Sequence, residues 1–173
     1  MSKEDLNLLL PLIKCYELFY EEDFNIEDKS TFPKIQIMAY LLEITVGICN
    51  YSPFSLYYKN LKYPISMEIA DLLLDFKKLS IDVRDEYLLS KDSISLRYEE
   101  DVIEIGKEVR TYLSEDKKDT SKLEKIAQIV YTAESVVPMF DDKELAKYTE
   151  STFQDVIKSK ELVKGIEDRF HNK

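Results

Sequence analysis

Apolar residues along this chain recur mostly at helical spacing, with two stretches where the period changes. The first apolar block runs from Leu6 to Tyr20 and contains Pro11, which an interior helical turn resists, so a kink or a fresh helix start is expected there. Leu9, Leu12, Ile13, Tyr16, Phe19 and Tyr20 then share one broad face. Residues 21–32 are polar and acidic and read as a loop. Residues 34–49 are apolar on two sides, with Ile35, Met38, Leu42, Val46 and Cys49 on one and Ile37, Tyr40, Leu41, Ile44 and Ile48 on the other, which predicts a central buried helix. After the breaker 50–53, Phe54, Leu56 and Tyr58 alternate as in a short strand.

A second strong helix is predicted from Ser66 as N-cap through Ile69, Leu72, Leu73, Phe76 and Leu79. In residues 80–99 the period changes again. Ile81 and Val83, the turn Ser90-Lys91-Asp92, and the alternating Ile94, Leu96 and Tyr98 predict a β-hairpin. Helix, helix, strand, helix and hairpin in that order describe a winged helix-turn-helix core with the hairpin as wing. Further helices are expected around 102–113, 123–137, 142–150 and 152–169, with 114–119 as a polar connector. The expected fold is therefore mainly α (α+β): a winged-helix core over 1–98 with a helical C-terminal subdomain, 99–173, packed on it as one compact unit.

Charge narrows what such a scaffold can do. The chain carries 24 Lys and Arg against 34 Asp and Glu, a net charge of -10. Residues 1–98 hold 11 basic and 16 acidic residues and residues 99–173 hold 13 and 18, so each half is net -5 and neither is a hidden basic module. A duplex-DNA binder needs basic residues clustered on its reading helix and wing, whereas the helix from Ser66 opens with Glu68, Asp71 and Asp75. DNA is thus a disfavoured partner.

Catalytic constellations are not visible in the sequence. The single histidine, His171, stands near the C-terminus, and the 3 glycines form no phosphate-cradling loop. The acidic runs Glu21-Glu22-Asp23, Glu99-Glu100-Asp101 and Asp141-Asp142 read as loops and helix starts, with a cation or carboxylate site as the alternative. Cys15 and Cys49 read as reduced core residues. No cofactor and no metal is called for. No apolar run reaches the length of a membrane span, the N-terminus does not read as a signal peptide, and the cytoplasm is the expected location.

Four segments carry a family resemblance: LLLPLIKCYELFYEED at the start, KIQIMAYLLE (34–43), FSLYYKNLKYPISMEIADLL (54–73) and KLEKIAQIVYTAE (122–134). Together they resemble the YwgA-like family of prokaryotic proteins, itself similar to the SocA-like domain called Panacea, over most of residues 6–160. The match is carried by Phe54, Ser55, Leu56, Tyr57, Pro64, Ser66, Glu68, Ala70 and Asp71, and by Gln36 and Tyr40-Leu41-Leu42. Two positions depart from the pattern: Tyr63 stands where a glycine precedes the proline, and Ile37 where a lysine follows the glutamine. The resemblance implies a winged-helix core with a helical C-terminal part. For Panacea domains it also implies antitoxins that neutralise protein toxins by binding.

The expected function is accordingly a non-enzymatic protein-binding or regulatory module, antitoxin-like in kind, with a winged-helix transcription regulator as the alternative. The expected partner surface is the tyrosine- and lysine-rich segment around Pro64, comprising Tyr57, Lys59, Lys62, Tyr63 and Ser66, because interface energy concentrates in a few aromatic and amphipathic anchors. The C-terminal helices are the expected surface for a homodimer.

Overall fold

In a computed structural model, the described residues are 1–47, 54, 62–113 and 120–171. Among them eight α-helices follow one another: α1 (Lys3–Tyr20), α2 (Thr31–Val46), α3 (Met67–Lys78), α4 (Ile81–Ser90), α5 (Glu99–Leu113), α6 (Ser121–Tyr131), α7 (Asp142–Tyr148) and α8 (Phe153–His171). No β-strand is present among the described residues.

This overturns the winged-helix expectation. The segment read as a hairpin forms α4, a 3-10 turn over Lys91–Ser93, and only three extended residues, 94–96, before the turn that opens α5. The physical reason is that Ile81, Val83, Tyr87, Leu88 and Leu89 fall on no single helical face, so the helix carries no readable period. Its Arg, Asp, Glu and Leu nevertheless favour helix over strand. The strand expected at 54–58 lies, apart from Phe54, outside the described residues.

The core is built around α2. Ile35, Ile37, Met38, Leu41 and Leu42 are wholly buried, and α1, α3, α6 and α8 all pack against this helix. Pro33 sits in its first turn, where a missing N–H costs nothing. Gly47 ends it in the left-handed conformation, donating its N–H to the Glu43 carbonyl. Pro11 lies inside α1 with helix on both sides, so it starts no new element. That helix instead begins at Ser2, which forms a reciprocal capping box with Asp5. One continuous cluster of buried residues runs from Leu9 to Ile166, crossing residue 98 without a break. A smaller one joins Ile129, Leu145, Ala146 and Val156 under α7.

Two contacts fix the placement of α1. Gly106 of α5 meets the backbone of Phe19 so closely that a Cβ there would lie 2.7 Å from Phe19 Cα and nearer still to its carbonyl oxygen. One turn on, Arg110 Nη1 donates to that same carbonyl, while its Nη2 pairs with Glu21 at 2.8 Å. On the other side Lys34 is buried and bound by both oxygens of Glu22, at 2.8 and 2.9 Å. Tyr16 Oη donates to Glu22 as well, and Tyr20 Oη donates to the Lys34 carbonyl at 2.8 Å. A buried ammonium with a doubly hydrogen-bonded carboxylate is a satisfied pair, which locks the loop after α1 onto the start of α2.

Candidate functional site

Of the five expected partner residues, Lys62, Tyr63 and Ser66 lie within the described residues. Ser66 is fully buried and caps α3, its Oγ accepting from the Ile69 N–H at 3.5 Å. Its backbone is held by Gln36, whose Oε1 accepts from the Ser66 N–H at 2.9 Å and whose Nε2 donates to the Ser66 carbonyl at 3.1 Å. Tyr63 is half-buried against the main core, and burial, with Glu124 nearby, pushes its phenol up to about 12. Lys62 is exposed. Tyr57 and Lys59 lie outside the described residues, as does Cys49. Of the three described members, then, Lys62 is exposed, Tyr63 half-buried and Ser66 buried.

Several of the described titratable groups are buried and shifted toward their neutral forms. Cys15 is a buried free thiol, pushed up to about 12 chiefly by burial and secondarily by the charge of Glu99, so thiolate chemistry is suppressed near neutrality. Burial likewise raises the phenols of Tyr16, Tyr20 and Tyr40 far above their ordinary range. Glu134, placed by a π-helical turn over Thr132–Val136, has its carboxyl raised by burial and then by Glu167. Among the described residues no set of three or more His, Cys, Asp or Glu is arranged to hold a metal.

The fold exposes apolar side chains around α7, at Met139, Tyr148 and Phe153, and on two successive helices, α3 and α4. No residue of α4 is buried, and Ile81 and Leu89 are 66% and 76% exposed. On α3, Met67 and Leu74 are more than half exposed, although the opposite face of that helix is core. Acids surround these positions: Asp82, Asp85 and Glu86 on α4, Asp71 and Asp75 on α3, all exposed. Between α1 and α3 an open cleft of about 490 Å³ continues this character, with Leu8 and Leu72 set among Asp5, Glu68, Asp71 and Asp75.

A smaller cavity of about 230 Å³ lies where α4 meets α3 and the loop after α1. Phe24, Ile26, Phe76, Ile81 and Leu88 give it apolar walls, and Asn25, Glu27, Arg84 and Asp85 its polar atoms. Glu27 stands between two cations, 2.8 Å from Arg84 Nη1 and 3.4 Å from Lys77 Nζ. Their hydrogen bonds, Arg84's first, hold its carboxyl below the usual range. The Arg84 Nε–H is buried and has no acceptor among the described residues. Sequence reasoning missed this site. The available signal was Leu88-Leu89 and Ile81 inside an otherwise charged run, which an alternating reading assigned to a strand.

The class these features define is an all-helical protein with an acidic, apolar-studded surface over α3 and α4. The chain matches no family model, no curated protein and no solved structure. No helix among the described residues is long and apolar enough to cross a membrane.

Proposed function

We propose that this chain is a non-enzymatic protein-binding module, regulatory or antitoxin-like in kind, that engages its partner through α3 and α4. The observation that carries the reading is α4: a helix with no buried residue exposes Ile81 and Leu89. Leaving such side chains in water forgoes roughly 1.5–3 kcal/mol each relative to burial. Large apolar side chains held this far in water mark a helix face that a partner can cover. The acids on α3 and α4 define the complement, a partner face that is apolar at its centre and rimmed by Lys and Arg. The resemblance to YwgA-like and Panacea sequences supports the same reading, since the latter act by binding proteins.

The test is capture from the native cell with the parent chain and a Leu74→Asp/Leu89→Asp variant in parallel. Both substituted positions are exposed, so the variant melts as the parent does. The expected result is a basic protein retained by the parent, released by salt and absent from the variant's eluate. Equal capture by the two chains removes α3 and α4 as the docking surface.

A further inference from the structure

The cavity beneath α4 has a chemistry of its own, which does not rest on the docking reading. At about 230 Å³ it is smaller than the ~300–1,000 Å³ that drug-sized ligands occupy, and it suits a single aromatic or branched group. Buried Phe24 and Phe76 form its apolar wall. At its polar edge, the Arg84 side chain is only 12% exposed. A guanidinium so withdrawn from water requires an anion.

Glu27 supplies that anion in part. It occupies Arg84 Nη1 and leaves the Nε–H unspent, whereas a guanidinium binds a carboxylate best through two parallel N–H donors. Glu27 is itself 56% exposed and shared with Lys77, so it can turn into solvent while keeping the lysine. A neutral guest that displaced it would leave Arg84 without a counter-charge. An anionic guest would not.

We propose that this cavity binds an apolar group carrying a carboxylate, its apolar part between Phe24, Phe76 and Leu88 and its carboxylate on Arg84 in place of Glu27. Two sources share this chemistry: a small aromatic or branched acid, and the C-terminal residue of a peptide chain. Glu27 is the intramolecular competitor, so occupancy of the site is coupled to release of the Arg84–Glu27 pair.

Calorimetric titration of the full chain with 3-phenylpropionate tests this, with 3-phenylpropanol as the uncharged counterpart. The acid is expected to bind and the alcohol at least about tenfold more weakly, the worth of a charge-assisted hydrogen bond. Arg84→Met is expected to weaken the acid by a similar factor, and Glu27→Gln to strengthen it severalfold by removing the competitor. A hexapeptide ending in Phe, as free acid and as amide, separates the sources: binding of the free-acid peptide as tightly as 3-phenylpropionate assigns a chain terminus, and much weaker binding assigns a small acid. No binding at millimolar acid, equal binding of acid and alcohol, or a Glu27→Gln affinity no higher than the parent's overturns the proposal. The last readout decides it even where Arg84→Met does not fold. The Leu74→Asp/Leu89→Asp variant, altered outside the cavity, binds the acid as the parent does, so a failure of protein docking leaves this result intact.

Discussion

Gln36 and Ser66, thirty residues apart in sequence, pair through both polar ends of one side-chain amide: Oε1 receives the Ser66 N–H and Nε2 reaches the Ser66 carbonyl. Both residues are wholly buried. The amide thus does for Ser66 what a neighbouring strand would do, and it sets where α3 starts relative to the central helix. Gln36→Leu fills similar space but takes the Gln36 contact from both backbone groups of Ser66; the carbonyl keeps the Ala70 N–H, so the cost is set by the acceptor lost to the buried N–H, about 1–3 kcal/mol. A loss of about 1–3 kcal/mol in urea unfolding is expected. A variant as stable as the parent would show that the pair is incidental.

Gly106→Ala is expected to destabilise although alanine is the better helix former. The added methyl meets Phe19 backbone atoms, which cannot rotate away as a side-chain tip can, so α1 and α5 must separate. Overpacking of this kind costs about 1–3 kcal/mol, with further loss if Arg110 is drawn off the Phe19 carbonyl. Thermal melting decides it: a Tm equal to or above the parent's contradicts so close an approach.

Leu42→Asp places a charge at a wholly buried position of α2, and an unpaired buried carboxylate costs several kcal/mol. Unfolding at ambient temperature is the expected outcome, read by circular dichroism. Ile44→Asp, at a position only half-buried, should be milder. A cooperative melt of the Leu42 variant near the parent's Tm would place α2 elsewhere than in the core.

Glu134 links stability to pH. Its folded carboxyl is raised above the ordinary 4.5 by burial and by Glu167, so between the two values the native state holds more protons than the unfolded chain. Stability therefore falls as pH rises through that window, and the penalty is complete above it. Glu134→Gln should melt higher than the parent at pH 7, with the gap closing as the pH drops below the unfolded value. A constant gap across pH, or a lower Tm at pH 7, would refute the linkage.

These positions also show which parts of the fold were legible in the sequence. The two-sided run from Lys34 could only be a central helix, which the structure shows as far as Val46, and Ser66 announced the start of α3, because burial and capping leave their mark in period and residue type. Pro11 left a kink or a fresh helix start open, and the structure excludes only the fresh start: tertiary packing of Leu9, Leu12 and Ile13 outweighs the single backbone hydrogen bond that a proline removes, and α1 runs through it. The α4 segment failed for the opposite reason, since a helix with no fully buried residue carries little periodic imprint to read. Gln36 carried part of the family resemblance, yet its partner could not be known before the chain brought residue 66 back to it. The Glu27–Arg84–Lys77 cluster is likewise assembled from three separate segments by tertiary folding alone.

The absence of any buried residue in α4 bears on its amide protons. Opening a helix exposes to exchange whatever its side chains had sequestered, and α4, partly buried only at Val83, Arg84, Tyr87 and Leu88, has sequestered far less than α2, so it opens at smaller cost. In the free protein α4 should therefore exchange its amides early, against slow exchange in α2. A ligand gripping α4 or the cavity beneath it would register first as protection there, with the central helix unchanged.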